Sequence, residues 1–364
     1  MDYKVGMQRR NSAVLVLLAS VTSLIGAADY VRPAPQAIEV ARGVYLFVSK
    51  PYGEVGMDGN AVAILSRDGV LVFDSNGTPA ASAAVLAEIR KLTNQPVRYV
   101  VNSHWHWDHW YGTETYTRAF PEVKVVAHEK TREMMAGPAI EFNRPGLERQ
   151  LPGYVAMLEG RVASRPELQP ALDEARFFLE QKKNARLVLP TVTYKDRLDL
   201  TLGERTIQVH HHDRAVTPGD SFLYLPAEKI VITGDLLVNP VAFALSSYPT
   251  GWLRTLEKID ALDAAVIVPG HGEPLRDKTL LRAHMDVMRE LLKAGKDAKA
   301  RGLDPDQARE EVLPRLQGLR ERMTGGDAKL HSQFDVYLVD WYLHRVYDEL
   351  NGTLTDAIAA IPPK

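Results

Sequence analysis

Between Asn102 and Gly112 the chain reads NSHWHWDHWYG, so His104, His106, Asp108 and His109 follow directly on the apolar run VRYVVN at 97–102. No other feature constrains the fold as much. A buried strand has to deliver four metal-binding side chains to one place, and core packing has no use for such a cluster. Residues two apart on an extended segment share a face, so His104 and His106 reach one metal together. Where the chain turns helical after Trp107, Asp108 and His109 point elsewhere and serve a second metal. Imidazole and carboxylate suit zinc, iron or manganese. The chain has no cysteine, which excludes thiolate ligands, disulfides and a cysteine nucleophile.

Strands and helices around the cluster are legible. GVYLFVSK from Gly43, AVAILS, a turn at Arg67-Asp68-Gly69 and VLVFDS read as strands. Thr78 and Pro79 then open a helix through Leu92, with the threonine as N-cap and proline at the first helical position. Another strand, VKVVA, ends at His128. Residues 129–190 change character: spaced Leu, Met and Phe among charged residues predict two to four helices inserted between strands. Strands resume at DRLDLTLG and RTIQVHHH. SFLYLP and KIVITGD form a hairpin that repeats the form of AVAILS-RDG-VLVFDS, each ending in an aspartate, Asp74 and Asp235. Two similar halves predict a two-sheet sandwich faced by helices. After AVIVPGHG the chain is helical almost to its end. Asp304 and Pro305 start one helix, and FDVYLVDWYLHRVYDEL forms the last, a packing or dimerisation surface rather than a catalytic one.

With 45% hydrophobic and 25% charged residues among 364, the composition is that of a globular protein of one large domain or two average ones. A net charge of -2 gives no general attraction to nucleic acid or anionic lipid. The expected partner is a small-molecule substrate, with a homodimer left open. Arg9 and Arg10 precede an uncharged run from Ser12 to Ala28, and Gly26 and Ala28 are the small residues ahead of a cut before Asp29. That order predicts a signal peptide over 1–28, a periplasmic or secreted protein, and no stable membrane association after cleavage. The competing reading is a retained anchor, since the run approaches the roughly 18 apolar residues that raise it.

The cluster and three later motifs together resemble the metallo-β-lactamase-fold superfamily, whose signature is His-x-His-x-Asp-His at the end of a buried strand. Thr217-Pro218-Gly219-Asp220, Thr233-Gly234-Asp235 and Pro269-Gly270-His271-Gly272 follow in the family's order. The resemblance implies an α/β fold, an αββα sandwich of two mixed β-sheets faced by helices. It further implies a catalytic domain over 29–275 with its helical insertion at about 129–190, and a helical C-terminal extension over 276–364. By position it assigns His104 and His106 to a first metal site, Asp108, His109 and His271 to a second, and Asp235 as the bridge. Asp74 matches a family aspartate that is structural or touches a ligand's N–H.

One position departs from the pattern. Family members read His-Thr-x-Gly-Asp where this chain has Val216-Thr217-Pro218-Gly219-Asp220, and the missing histidine is the third imidazole of the first site. Valine has no lone pair, so the first site keeps His104, His106 and the shared Asp235. Three explanations compete. Val216 is a substitution, natural or engineered, that weakens or empties the first site; or one tightly held metal in the second site suffices; or one of His210, His211 and His212 stands in. In a strand His210 and His212 face one side and His211 the other, so at most part of the triplet approaches the metals. His128 reads as a core or rim residue, and His284, His331 and His344 as structural. Of Trp105, Trp107, Trp110 and Tyr111, some pack beneath the site and others wall an apolar substrate pocket.

Two divalent ions bridged by Asp235 would make hydroxide available near neutral pH for attack on a carbonyl, phosphoryl or sulfuryl centre. Asp108 is the catalytic candidate, binding metal and orienting the nucleophile or accepting its proton. The expected cofactor is Zn2+, one or two ions, with Mn2+ or Fe2+ as substitutes. The resemblance therefore implies a hydrolase of an ester, lactone, amide or related bond, impaired at the first site by Val216. Lack of cysteine removes the lactamases with a cysteine ligand, and Asp235 is atypical of the others, which places the chain nearer lactonases, thioesterases and esterases. The alternatives are a degenerate metal-binding protein with little turnover, a β-lactam hydrolase, or a mononuclear iron oxidoreductase.

Overall fold

The strand that carries the cluster lies inside a seven-stranded sheet. A computed structural model describes residues 30–52 and 56–356, and the signal peptide expected over 1–28 lies outside them. The first sheet holds β1 (Gln36–Ala41), β2 (Val44–Val48), β3 (Ala61–Ser66), β4 (Gly69–Phe73), β5 (Val97–Val101), β6 (Lys124–His128) and β7 (Val192–Tyr194), each beside the next. From β1 to β4 it is an antiparallel meander, and from β4 to β7 it is parallel. β1 is an edge strand with only Val40 fully buried, so its sequence carries no strong strand pattern. The second sheet takes β8 (Arg197–Leu202), β9 (Arg205–His210), β10 (Phe222–Leu225), β11 (Ile230–Ile232) and β12 (Val266–Val268). It is antiparallel except for the parallel β11–β12 pair. Both sheets are mixed, as the resemblance implied.

Alternation along the strands builds the layers. Val62, Ile64, Leu71, Phe73 and Val101 of the first sheet meet Ile207, Val209, Leu223, Ile230 and Ile232 of the second in one buried cluster. The other face of the first sheet, with Ala61, Ala63, Val70, Val72 and Val100, packs on Val85, Leu86 and Ile89 of α1 (Pro79–Leu92) and on Tyr116 of α2 (Thr113–Ala119). Thr78 caps α1 by accepting from the Ala81 N–H at 3.2 Å, and Pro79 opens the helix. Loss of such a cap costs about 1 kcal/mol.

Between β6 and β7 the insertion forms α3 (Glu129–Met135), α4 (Pro138–Pro145), α5 (Leu151–Val162) and α6 (Gln169–Asn184). A π-helical turn, Gly146–Gln150, joins α4 to α5. The outer face of the second sheet, with Phe222, Val231 and Ile267, is covered by α7 (Pro249–Asp260), α8 (Thr279–Ala300) and α9 (Pro305–Thr324). A capping box between Asp304 and Gln307 starts α9. After α10 (Ala328–Gln333), a π-helical segment, Phe334–Asp340, runs into α11 (Trp341–Asn351). Phe334, Leu338, Tyr342, Leu343 and Val346 there join the same cluster, so this last segment is a packing element along that face. No helix among the described residues is long and apolar enough to cross a membrane.

Candidate metal centre

Three strands leave the sandwich at the same edge and carry the ligands with them. The chain after β5 holds His104 and His106 and then tightens into a 3-10 turn, Trp107–His109, which redirects Asp108 and His109. The turn after β11 holds Asp235, and the loop after β12 holds His271. Two motif glycines make this approach possible. Gly234 has φ +52, and a Cβ on it would stand 2.6 Å from Ser103 Cβ; a Cβ on Gly270 would stand 2.1 Å from Asp235 Oδ1. Asn60 fastens the His271 loop by donating through Nδ2 to the carbonyls of Pro269 and Gly272 at 3.0 and 2.8 Å.

The six side chains fall into two groups whose ligand atoms lie within 4.8 Å of one another. Asp235 serves both. Its Oδ2 is 3.5 Å from His104 Nε2 and 3.8 Å from His106 Nδ1. Its Oδ1 is 3.2 Å from His109 Nε2 and 3.4 Å from His271 Nε2. Asp108 Oδ2 lies 3.4 Å from His109 Nε2 and 3.1 Å from His271 Nε2. His106 and His271 keep 11% and 17% of their side chains exposed, so the centre opens to solvent on their side.

Hydrogen bonds behind the ligands fix which nitrogen faces inward. Asp74, at φ +60 just after β4, accepts from the Ser103 N–H at 2.7 Å, from Ser103 Oγ at 2.8 Å and from His109 Nδ1 at 2.7 Å. With the serine proton given to Asp74, His104 Nδ1 donates to Ser103 Oγ at 2.8 Å. Ser246 Oγ donates to the Val216 carbonyl at 2.9 Å, so His106 Nε2 donates to Ser246 at 3.2 Å. Each imidazole thereby commits its outer nitrogen to a support and turns the other toward Asp235. His104 Nε2, His109 Nε2 and Asp235 Oδ1 are buried without a hydrogen-bond partner. Orphaned buried polar atoms are costly unless something occupies the space between them, and a divalent cation fits this donor set.

The electrostatics differ between the groups. Burial, then His109 and His106, push His104 down to about 3. Burial would lower His271 as well, but Asp235 and Asp108 outweigh it and raise it to about 10. His109 is raised well above the ordinary histidine value, since Asp235, Asp108 and Asp74 overcome its burial. Asp108 and Asp235 lie well below the ordinary carboxylate value: burial opposes ionisation, and the neighbouring histidines overcome it. Both are carboxylates at neutral pH.

Val216 is buried in the cluster around Leu236 and Trp252 and serves the centre only through its backbone carbonyl. None of His210, His211 and His212 joins either ligand group. His210 stacks on Phe222, His211 stacks on His128 at 3.9 Å and bonds the Asp220 carbonyl, and His212 is exposed. Asp220 closes its own turn by accepting from the Thr217 N–H at 2.7 Å. His284 is buried in α8. His331 lies 3.5 Å from Glu321. His344 meets Asp306 and Asp340 in a third, surface cluster, where Arg309 already pairs with Asp340.

Trp105, Trp110 and Tyr111 pack beneath the centre against Met134, Met135 and Ala139 of the insertion. Lys182 of α6 sits with Nζ 3.7 Å from the centres of both the Trp107 and Tyr111 rings, with no hydrogen-bond partner. Ser246 and Lys182 escaped the sequence reading because nothing in their surroundings marks them. Ser103 lies inside the motif and was legible as a neighbour of the ligands.

Residues 55–271 match the metallo-beta-lactamase superfamily. A linear primary-alkylsulfatase from Pseudomonas sp. (strain ATCC 19151) is 25% identical over 278 residues, which are 70% of this chain and 50% of that protein. The chain thus spans about half the length of this curated relative. The stereoselective inverting sec-alkylsulfatase Pisa1 from Pseudomonas sp. superposes with a TM-score of 0.60 at 20% identity, over 88% of this chain and 51% of that one. A metallo-beta-lactamase from Pontibacter korlensis superposes with a TM-score of 0.52 at 19% identity, over 70% of this chain and 99% of that one. At such identities the structures share a fold and no more. With its paired mixed sheets and a match across most of the sandwich, the chain belongs to the metallo-beta-lactamase superfamily.

Proposed function

We propose that this protein is a metal-dependent hydrolase of sulfate esters, exported to the periplasm or beyond. The observation that carries the hydrolase reading is the Asp235 carboxylate, which divides its two oxygens between two pairs of imidazoles. Likeness to a linear primary-alkylsulfatase supports a sulfate ester over a β-lactam, and the segment 9–28 supports export.

His104, His106 and Asp235 Oδ2 would hold one ion, and Asp108, His109, His271 and Asp235 Oδ1 the other. When bound, such ions lower the pKa of water and polarise an ester oxygen. The chain's own residues do the rest. Asp74 and Ser246 keep the imidazoles oriented. Asp108, ionised at neutral pH, accepts a proton from the attacking water. Hydrolysis of the ester yields an alcohol and hydrogen sulfate.

The test is a panel of an alkyl sulfate, a lactone, an aryl ester, a phosphodiester and a β-lactam, run with zinc or manganese and again with chelator. Metal-dependent sulfate release is the expected result; turnover of another class without sulfate release would overturn the substrate assignment. A second reading, a metal-binding protein with little turnover, is favoured by one observation: the first group offers three donors, with Val216 contributing none.

A further inference from the structure

Three aromatic rings beside the metal centre pack on one another, and of them only Trp341 also packs against a hydrophobic cluster of the described residues. Phe243 lies in the loop between β11 and α7, Tyr337 in the π-helical segment, and Trp341 at the start of α11. Phe243 meets Trp341 at 4.6 Å and Tyr337 at 5.9 Å, and Tyr337 stacks on Trp341 at 4.8 Å. All three are half-buried. Phe243 and Tyr337 belong to none of the hydrophobic clusters among the described residues.

The trio is joined to the centre at two points. Phe243 stands edge-on to the ligand His106, with ring centres 6.0 Å apart. Ser246, three residues along the same loop, holds His106 Nε2. The loop is fastened in turn to the C-terminal segment, because the Ala244 N–H donates to the Tyr337 carbonyl at 2.9 Å. Two of the three rings come from beyond residue 271, where the superfamily match ends. The C-terminal extension therefore reaches the open side of the centre, where His106 keeps part of its ring exposed.

Apolar rings left partly in water beside a ligand histidine suit an apolar ligand group better than they suit stability. We infer that Phe243, Tyr337 and Trp341 form the subsite for the apolar part of the substrate, an alkyl or aryl chain whose anionic head lies at the metal centre. This assignment rests on the hydrolase reading above and adds to it a specificity for amphiphilic esters.

Alkanesulfonates test it without turnover, since they have an anionic head and no ester bond. Calorimetry on the metal-loaded full chain, from butanesulfonate to octanesulfonate, is expected to show affinity rising about fourfold per methylene at most. Trp341→Ala and, separately, Phe243→Ala are expected to flatten that gradient to about twofold or less per methylene, at the metal content of the unaltered protein. Phe243 is outside the hydrophobic clusters, so its variant stays informative should Trp341→Ala fail to fold. No gradient in the unaltered chain, or the same gradient in the folded variants, would overturn the subsite. A ring-dependent gradient without sulfate release from octyl sulfate would support the subsite and overturn the sulfatase reading. Sulfate release without a gradient would do the reverse.

Discussion

The two ligand groups share Asp235 and differ in what surrounds it. The second group, Asp108, His109, His271 and Asp235 Oδ1, offers four donors, a closed set for a tetrahedral ion. The first, His104, His106 and Asp235 Oδ2, offers three. Three protein ligands with one position open describe catalytic zinc sites, and four describe structural ones. Val216 adds no donor to the first group, whose His106 is part-exposed beside Phe243.

Proton content separates the groups too. Without metal, the first holds a neutral His104, while in the second His109 and His271 are held protonated by the carboxylates around them. With four donors against three, the second group is the expected tighter site.

Asp235→Ala removes the donor common to both groups and is expected to have the largest effect. Metal per chain, by elemental analysis, should fall from about two ions towards none, with loss of hydrolysis. Full metal content would show that Asp235 bridges nothing. Next comes the pair of supports. Asp74→Asn weakens a charge-assisted bond to His109 at 2.7 Å, and Ser246→Ala a neutral one to His106 at 3.2 Å. Metal affinity should drop about 100-fold for the first and about tenfold for the second; equal losses would undo the distinction.

A pH dependence follows from His271. Its raised value, about 10, gives the metal-free protein stability that is fully present below the ordinary histidine value of 6.5 and lost as pH rises through about 10. The Tm of the metal-free protein should therefore fall across that range. The metal-loaded protein, its proton already displaced, should not follow. Lys182→Met is the smallest step: it keeps the stem under Trp107 and Tyr111 but removes an amine that burial holds well below the ordinary lysine value and that has no hydrogen-bond partner. A Tm gain of a few degrees, equivalent to about 1 kcal/mol, is expected. An unchanged Tm would show that the two rings offset the cost of burying the amine.

How much of this was legible in the sequence depended on chain distance. His104, His106, Asp108 and His109 could be read because the short loop after β5 and the turn that follows carry them all, and their spacing already separates two groups. The sandwich was legible from strand alternation, whereas β1, an edge strand with one fully buried residue, was not. Asp235 and His271 needed the family pattern, since no local rule brings them to β5. Ser246 lies 140 residues from the histidine it holds. Lys182 and Trp341 likewise meet rings that neighbour the ligands through folded helices, and an amphipathic pattern cannot say what its polar or half-apolar edge will meet. Trp341 shows this directly. Its segment read as packing surface, and one side of it is; another side turns to Phe243 beside the ligands.

The most direct measurement is a zinc titration of the metal-free full chain by calorimetry, repeated on His271→Ala and His106→Ala. Two unequal steps are expected, the tighter one lost in His271→Ala and the weaker one in His106→Ala. A single step that survives in both variants, or two equal steps, would contradict an open and a closed site sharing Asp235.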